Sequence, residues 1–226
     1  MFRFILTATA VITGSSVAYF YIFHKKLSAR IHHRSHCGKL ATSPKPCEIE
    51  SIPEAVFTDK YFAHYDGTSK RVARCLLPGC ITTEQLFTKL VRRNMTAFSH
   101  FPQALMVRIG CTTAEEIQSF KASHISSLDF NKGDLVCGAY RVVARSKNKV
   151  EFEMRMNDME FVNGRLALSF KEKDGDVVFS SETIMWRRAD DLRTMPLEKR
   201  VVRFMHETAV WWLVDSGTKY LMDLEV

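Results

Sequence analysis

Twenty consecutive residues without a charge, Phe4 to Phe23 (FILTATAVITGSSVAYFYIF), dominate the start of the chain. At ~1.5 Å per helical residue such a run matches the ~30 Å hydrocarbon layer of a bilayer. Its Thr and Ser hydroxyls can bond to the helix backbone, and Tyr19, Phe20, Tyr21 and Phe23 crowd the end where an interfacial aromatic belt sits. His24, Lys25 and Lys26 then stop it. A cleaved signal peptide is the competing reading, with Ser16-Val17-Ala18 as small residues before a cut. The apolar run continues past that point, however, and the basic excess follows the segment instead of preceding it. Residues 1–23 are therefore read as a transmembrane anchor. The positive-inside rule puts the Lys/Arg-rich flank, and the domain behind it, on the cytosolic side of an endomembrane.

The formal charge of +7 is concentrated in the same region. No acidic residue precedes Glu48, whereas seven basic ones do, so the rest of the chain carries 25 basic and 25 acidic residues. A neutral body disfavours nucleic-acid binding, which needs a cationic surface to displace phosphate counterions. Residues 24–56 contain KK, HHRSH and Ser43-Pro44-Lys45-Pro46 without helical or strand periodicity. They are read as a flexible basic tether at anionic headgroups. His32, His33, His36 and Cys37 have the residue types of metal ligands, but their spacing fits no structural zinc pattern, and no metal is expected there. The six cysteines form no CxxC pair. Asn94-Met95-Thr96 is a sequon of use only in a lumenal domain.

Residues 57–226 read as one α+β domain. A strand-like run, Lys70–Leu77, ends at Pro78-Gly79. Thr82 and Gln85 form a capping box for a helix whose Leu86, Phe87, Leu90 and Val91 share a face. A second helix is expected from Thr112 or Thr113 to Leu128, and Gln103–Ile109 between them reads as a short strand at most. From Leu135 the period becomes two: Leu135–Arg145, then Lys149–Asn157 with Val150, Phe152 and Met154 on one face and solvated Glu151 and Glu153 on the other. Asn163-Gly164 and Asp174-Gly175 are expected hairpin turns around Arg165–Lys171. Asp176–Trp186 completes a four-strand meander. A long helix follows from about Thr194 to Leu221, with Val201, Phe204, Met205, Thr208, Trp211 and Trp212 as its apolar stripe. That stripe is expected to lie on the meander.

This order, a strand, two helices, an antiparallel meander and a long last helix, resembles the helix-grip architecture of the START/polyketide-cyclase-like superfamily over residues 70–222. A hotdog fold is the alternative and requires residues 113–128 as its central helix. The runs GDLVCGAYRVVAR (133–145) and SSETIMWRRADD (180–191), with Arg203-Phe204-Met205-His206, are similar to small membrane-anchored proteins of fungal secondary-metabolite clusters. The resemblance implies a membrane-tethered accessory or cyclase-like protein that holds an apolar, polyketide-type intermediate in a sheet–helix cavity, beside other membrane-bound biosynthetic enzymes. A non-catalytic lipid-binding or scaffolding protein is the alternative.

Dinucleotide, P-loop, HExxH and GxSxG signatures are absent, and no cofactor is expected. The candidate catalytic residues are polar groups in apolar contexts. His206 lies one turn from Val202 and Val210. Glu182 shares a strand face with Ile184 and Trp186, and burial would raise its pKa. Tyr140 stands among Val136, Val142 and Ala144. Trp186, Trp211 and Trp212 are the candidate ligand-binding rings. The anchor reading predicts that the mature chain starts at its encoded N-terminus and sediments with membranes through alkaline washing. A soluble chain trimmed after Ala18 overturns it.

Overall fold

The computed structural model of the protein describes residues 18–40, 46–155 and 159–224. Residues 1–17 of the expected anchor lie outside the described residues, and only its last six, 18–23, are described. Among the described residues no helix is long and apolar enough to cross a membrane.

The described part of α1 is residues 18–28. There follow β1 (His32–Gly38), β2 (Tyr61–Ala73), α2 (Thr83–Phe98), α3 (Pro102–Ile109), α4 (Ala114–Gln118), α5 (Ala122–Ser127), β3 (Leu135–Val136), β4 (Tyr140–Ser146), β5 (Lys149–Met154), β6 (Asn163–Lys173), β7 (Asp176–Arg188) and α6 (Arg200–Met222). The strands form a single sheet in the order β1-β2-β7-β6-β5-β4-β3, antiparallel throughout. A seven-strand antiparallel sheet with a C-terminal helix packed on β2 and β7 fits the helix-grip-like expectation. The hotdog alternative fails, because residues 113–128 form two short helices instead of one long one.

The local signals that proved right are those in which side chain and backbone agree. Thr82 caps α2 reciprocally with Gln85; of the two starts expected for the next helix, Thr113 is the cap, in a second reciprocal box with Glu116. Asp174 (φ 53°) and Gly175 (φ 81°) make the tight turn from β6 to β7. Asn163-Gly164 is not a turn but the start of β6. A Cβ on Gly164 would come within 2.4 Å of Met154 Cε, so this glycine serves close packing. Residues 102–109 form a helix begun by Pro102, which suits a first helical turn.

Strand alternation gives the sheet two covered faces. The inner face carries Val72, Val150, Phe152, Phe170, Val177 and Phe179 against α2, whose Leu86, Phe87, Leu90, Val91 and Met95 are buried. This interior is filled by side chains. The cavity bounded by Phe87, Leu90, Asn94, Leu168, Phe179 and Val214 has a volume of about 10 Å³, the space of a single water. It does not hold a polyketide-sized ligand.

The outer face corrects the expected tether. His32–Gly38 is a full edge strand on β2, and residues 47–57 run as a strap across the sheet. Leu40, Ile49, Ile52 and Val56 pack there on Ala63, Tyr65, Ala167, Ile184 and Trp186. Two strand carboxylates hold the strap by its backbone. Glu182 accepts hydrogen bonds from the amides of Glu48 (2.9 Å) and Cys47 (3.4 Å), from Arg34 Nη2 (2.8 Å) and from Tyr65 Oη (2.8 Å). Glu151 accepts from the amides of Glu50 (3.1 Å) and Ser51 (3.0 Å) and pairs with Lys149 (2.9 Å). Glu151 is thus buried, not solvated, and its carboxyl pKa is lowered: burial opposes this, but Lys149 and the strap amides outweigh it.

The apolar stripe of α6 also differs from expectation. Thr208, Trp211, Val214, Asp215, Thr218 and Leu221 are buried, while Val201 and Met205 face solvent. Gly217 does not break α6 but brings it close to α2. Its missing side chain leaves room for Leu90 and Asn94, each of which would lie within 2.6 Å of a Cβ. Asn94 is buried there, so the sequon cannot accept a glycan in this fold. Gly217→Val is therefore expected to lower unfolding stability by about 1–3 kcal/mol, the usual cost of overpacking. Urea denaturation reads it, and an unchanged midpoint would count against this helix contact.

Candidate active site

The proposed catalytic residues do not converge. Glu182 and Trp186 are on the outer face, Glu182 bound to the strap and Trp186 packed in the strap core beneath the Arg165 guanidinium. Their partners are Arg34 and Arg165. Tyr140 is in the inner core, edge-on to Phe98 and Phe152, and burial followed by nearby Cys137 raises its pKa. Trp212 meets Phe101 and Arg93. Only His206 and Trp211 border a polar cluster.

That cluster arises because β2 turns a polar row, His64, Asp66, Thr68 and Lys70, toward α6. His64, Asp66 and Thr68 are almost completely buried. Lys70 is matched by Asp215 of α6 (2.8 Å), which also meets Arg30 and Lys219, both at 3.5 Å. Asp66 is matched less fully. Its Oδ2 lies 2.8 Å from His33 Nε2 of β1, while its buried Oδ1 has no hydrogen-bond partner. His206 Nε2 of α6 is 3.9 Å from that Oδ1, too far for a hydrogen bond, and is equally unpartnered. Both ring nitrogens of His64 and the Trp211 Nε1 are also unpartnered among the described buried atoms. Glu207 completes the group: donor atoms of His33, Asp66 and Glu207 all lie within 4.8 Å of one another.

Beside it lies an aromatic shelf. The His24 ring of α1 stacks at 4.5 Å on Phe204 and 4.3 Å on Trp211, and its Nδ1 meets Thr208 Oγ1 at 2.7 Å. The His33 ring stands edge-on to Trp211 at 4.8 Å. Leu27 and Ile31 pack under the same tryptophan.

Burial and charge drive the titrating groups apart. For His33 burial acts downward, but the hydrogen bond and charge of Asp66 prevail and raise its pKa. Burial lowers His206, with Asp66 acting in the opposite direction. Burial and then the Arg203 charge push His64 down to about 4. Burial and then the Asp66 charge raise Glu207. A protonation-prone imidazole thus stands next to imidazoles held neutral, an arrangement suited to proton transfer.

Three of these groups, His64, Asp66 and Glu207, were not singled out from the sequence and had no motif. His33 was weighed as a metal-ligand type with His32, His36 and Cys37, but was set aside on spacing and placed in a tether. The available signal was the polar row His64-Asp66-Thr68-Lys70 at period two, with His33-Ser35-Cys37 at the same period.

No protein family matches the chain, and no curated protein is significantly similar to it. Among solved structures it is similar to CalU16 from Micromonospora echinospora, at 12% identity over 86% of each chain with a TM-score of 0.36. That score is too low for the likeness to bear on fold or function.

His64 gives a prediction of sign. Unfolded it titrates near 6.5, and folded at about 4. Between those values the unfolded chain binds the proton first, so stability falls as pH drops from 6.5 toward 4. His64→Leu should flatten this decline in urea melts across the window. An unchanged slope would show that His64 does not contribute.

Proposed function

We propose that the protein is a membrane-tethered, cyclase-like accessory protein that moves a proton on a carbonyl-bearing apolar intermediate at the cluster between β2 and α6. The observation that carries this reading is the Asp66–His33 pair at 2.8 Å, with Asp66 buried. A carboxylate accepts, so neutral His33 donates from Nε2 and keeps Nδ1 as its proton acceptor. Asp66 thereby sets the tautomer and strengthens the base, the role of the carboxylate in Asp–His pairs. His33 Nδ1 takes a proton from the carbon next to the carbonyl, and the resulting enolate carbon attacks a second carbonyl of the same chain. The proton returns to the alkoxide so formed, and the step balances without an outside reagent. Trp211, Phe204 and His24 offer the apolar chain a surface.

The tether is the run Phe4–Phe23. It is supported by Tyr19, Phe20, Tyr21 and Ile22, which remain exposed on α1 before Lys25 and Lys26. A bilayer is where an apolar intermediate partitions, and other membrane-bound biosynthetic enzymes are the proposed partners.

A non-catalytic scaffold is the second reading, and the filled interior favours it. Deleting the gene and restoring it as wild type or Asp66→Asn separates the two. A linear, uncyclised precursor is expected in the deletion strain and in a strain whose Asp66→Asn chain is present and folded. Full restoration by Asp66→Asn selects the scaffold, and unchanged metabolites in the deletion strain remove the cyclase reading.

A further inference from the structure

We propose that His33, Asp66 and Glu207 hold a divalent first-row transition-metal ion. The inference rests on the same assignment of the site and gives it a second form: with an ion bound, His33 and Asp66 would serve as ligands, and the ion in place of the His33 base would activate the carbonyl. It begins with atoms that the fold leaves unmatched. Asp66 is fully buried, yet among the described residues one of its oxygens has no hydrogen-bond partner, and His206 Nε2, itself unpartnered, stands 3.9 Å away, too far to supply one. Leaving a buried acceptor unsatisfied costs on the order of 1–3 kcal/mol, more for a charged group. A cation at this oxygen would satisfy it.

The donor set agrees. One ligand atom from each of His33, Asp66 and Glu207 falls within 4.8 Å of the others, so a single ion can reach all three after small side-chain shifts. The donors come from three elements, β1, β2 and α6, so an ion would tie the edge strand and the last helix to the strand between them. Two carboxylates and an imidazole without a thiolate suit Zn2+, Mn2+ or Fe2+. The His33 side chain keeps about a fifth of its surface exposed (20%). Bound there, an ion would supply Lewis-acid polarisation of a carbonyl oxygen.

The test is calorimetric titration of Zn2+ into untagged, metal-stripped full-length protein in detergent, repeated with Glu207→Gln. Position 207 lies on α6 and is less buried than Asp66, so this variant is expected to fold, which thermal melting checks. One tight equivalent is expected, weakened at least about tenfold by Glu207→Gln, as loss of a ligand requires. Absence of Zn2+ and Mn2+ binding overturns the proposal, and so does Zn2+ binding that Glu207→Gln leaves untouched. A chain that binds no metal but whose Asp66→Asn form still fails in the metabolite test loses the ion and keeps the proton-transfer reading. Zn2+ bound by these residues in a protein whose Asp66→Asn form restores metabolism retires the chemistry and keeps the metal.

Discussion

The arrangement of this protein depends on β2 carrying charge into the interface with its last helix. A strand paired on both edges in a covered sheet would ordinarily bury apolar side chains there, because each unpaired polar group loses its hydration without compensation. In β2 the row His64-Asp66-Thr68-Lys70 instead faces α6. Lys70 is satisfied by Asp215, around which Arg30 and Lys219 also gather. Asp66 is left with His33 on one oxygen and nothing on the other. The first pairing orients α6 on the sheet, and the second leaves a partly unsatisfied polar group where a ligand or proton can be handled. Buried polar groups that break the local rules of a core are most often found at working sites.

The opposite face follows a different logic. Glu182 and Glu151 also point from strands into a covered layer, but their acceptors are saturated by strap amides and by Arg34, Tyr65 and Lys149. These carboxylates fasten residues 47–57 over the sheet. The physical difference between the faces is the number of partners per oxygen. By that measure Glu182 belongs to the structure and Asp66 to the candidate site, although both are nearly free of solvent contact.

Much of the fold was legible before any coordinates. Capping boxes at Thr82 and Thr113, the Asp174-Gly175 turn and the alternation of β5 are local codes in which a side chain bonds to, or permits, a particular backbone conformation. The errors came where long-range pairing decided. Nothing in HHRSH specifies a strand, because its pairing partners, Tyr65 to Ser69 of β2, lie 29 to 37 residues on. Asn163-Gly164 has the composition of a turn but sits in a strand because Met154 needs the space. For the site, His206 and Trp211 were found from their apolar surroundings, whereas Asp66 carries no local mark.

By itself, then, the amino-acid order determined a mixed α+β domain, its meander and closing helix, and the position of the long uncharged run. These follow from periodicity and from contacts between residues close in sequence. Tertiary structure alone decided that β1 and the strap cover the sheet, that the interior is packed with aromatic rings, and that His33, Asp66, His206 and Glu207 meet. Each of these is set by which strand edges and which helix face come together, and one chain position holds no record of its distant partner.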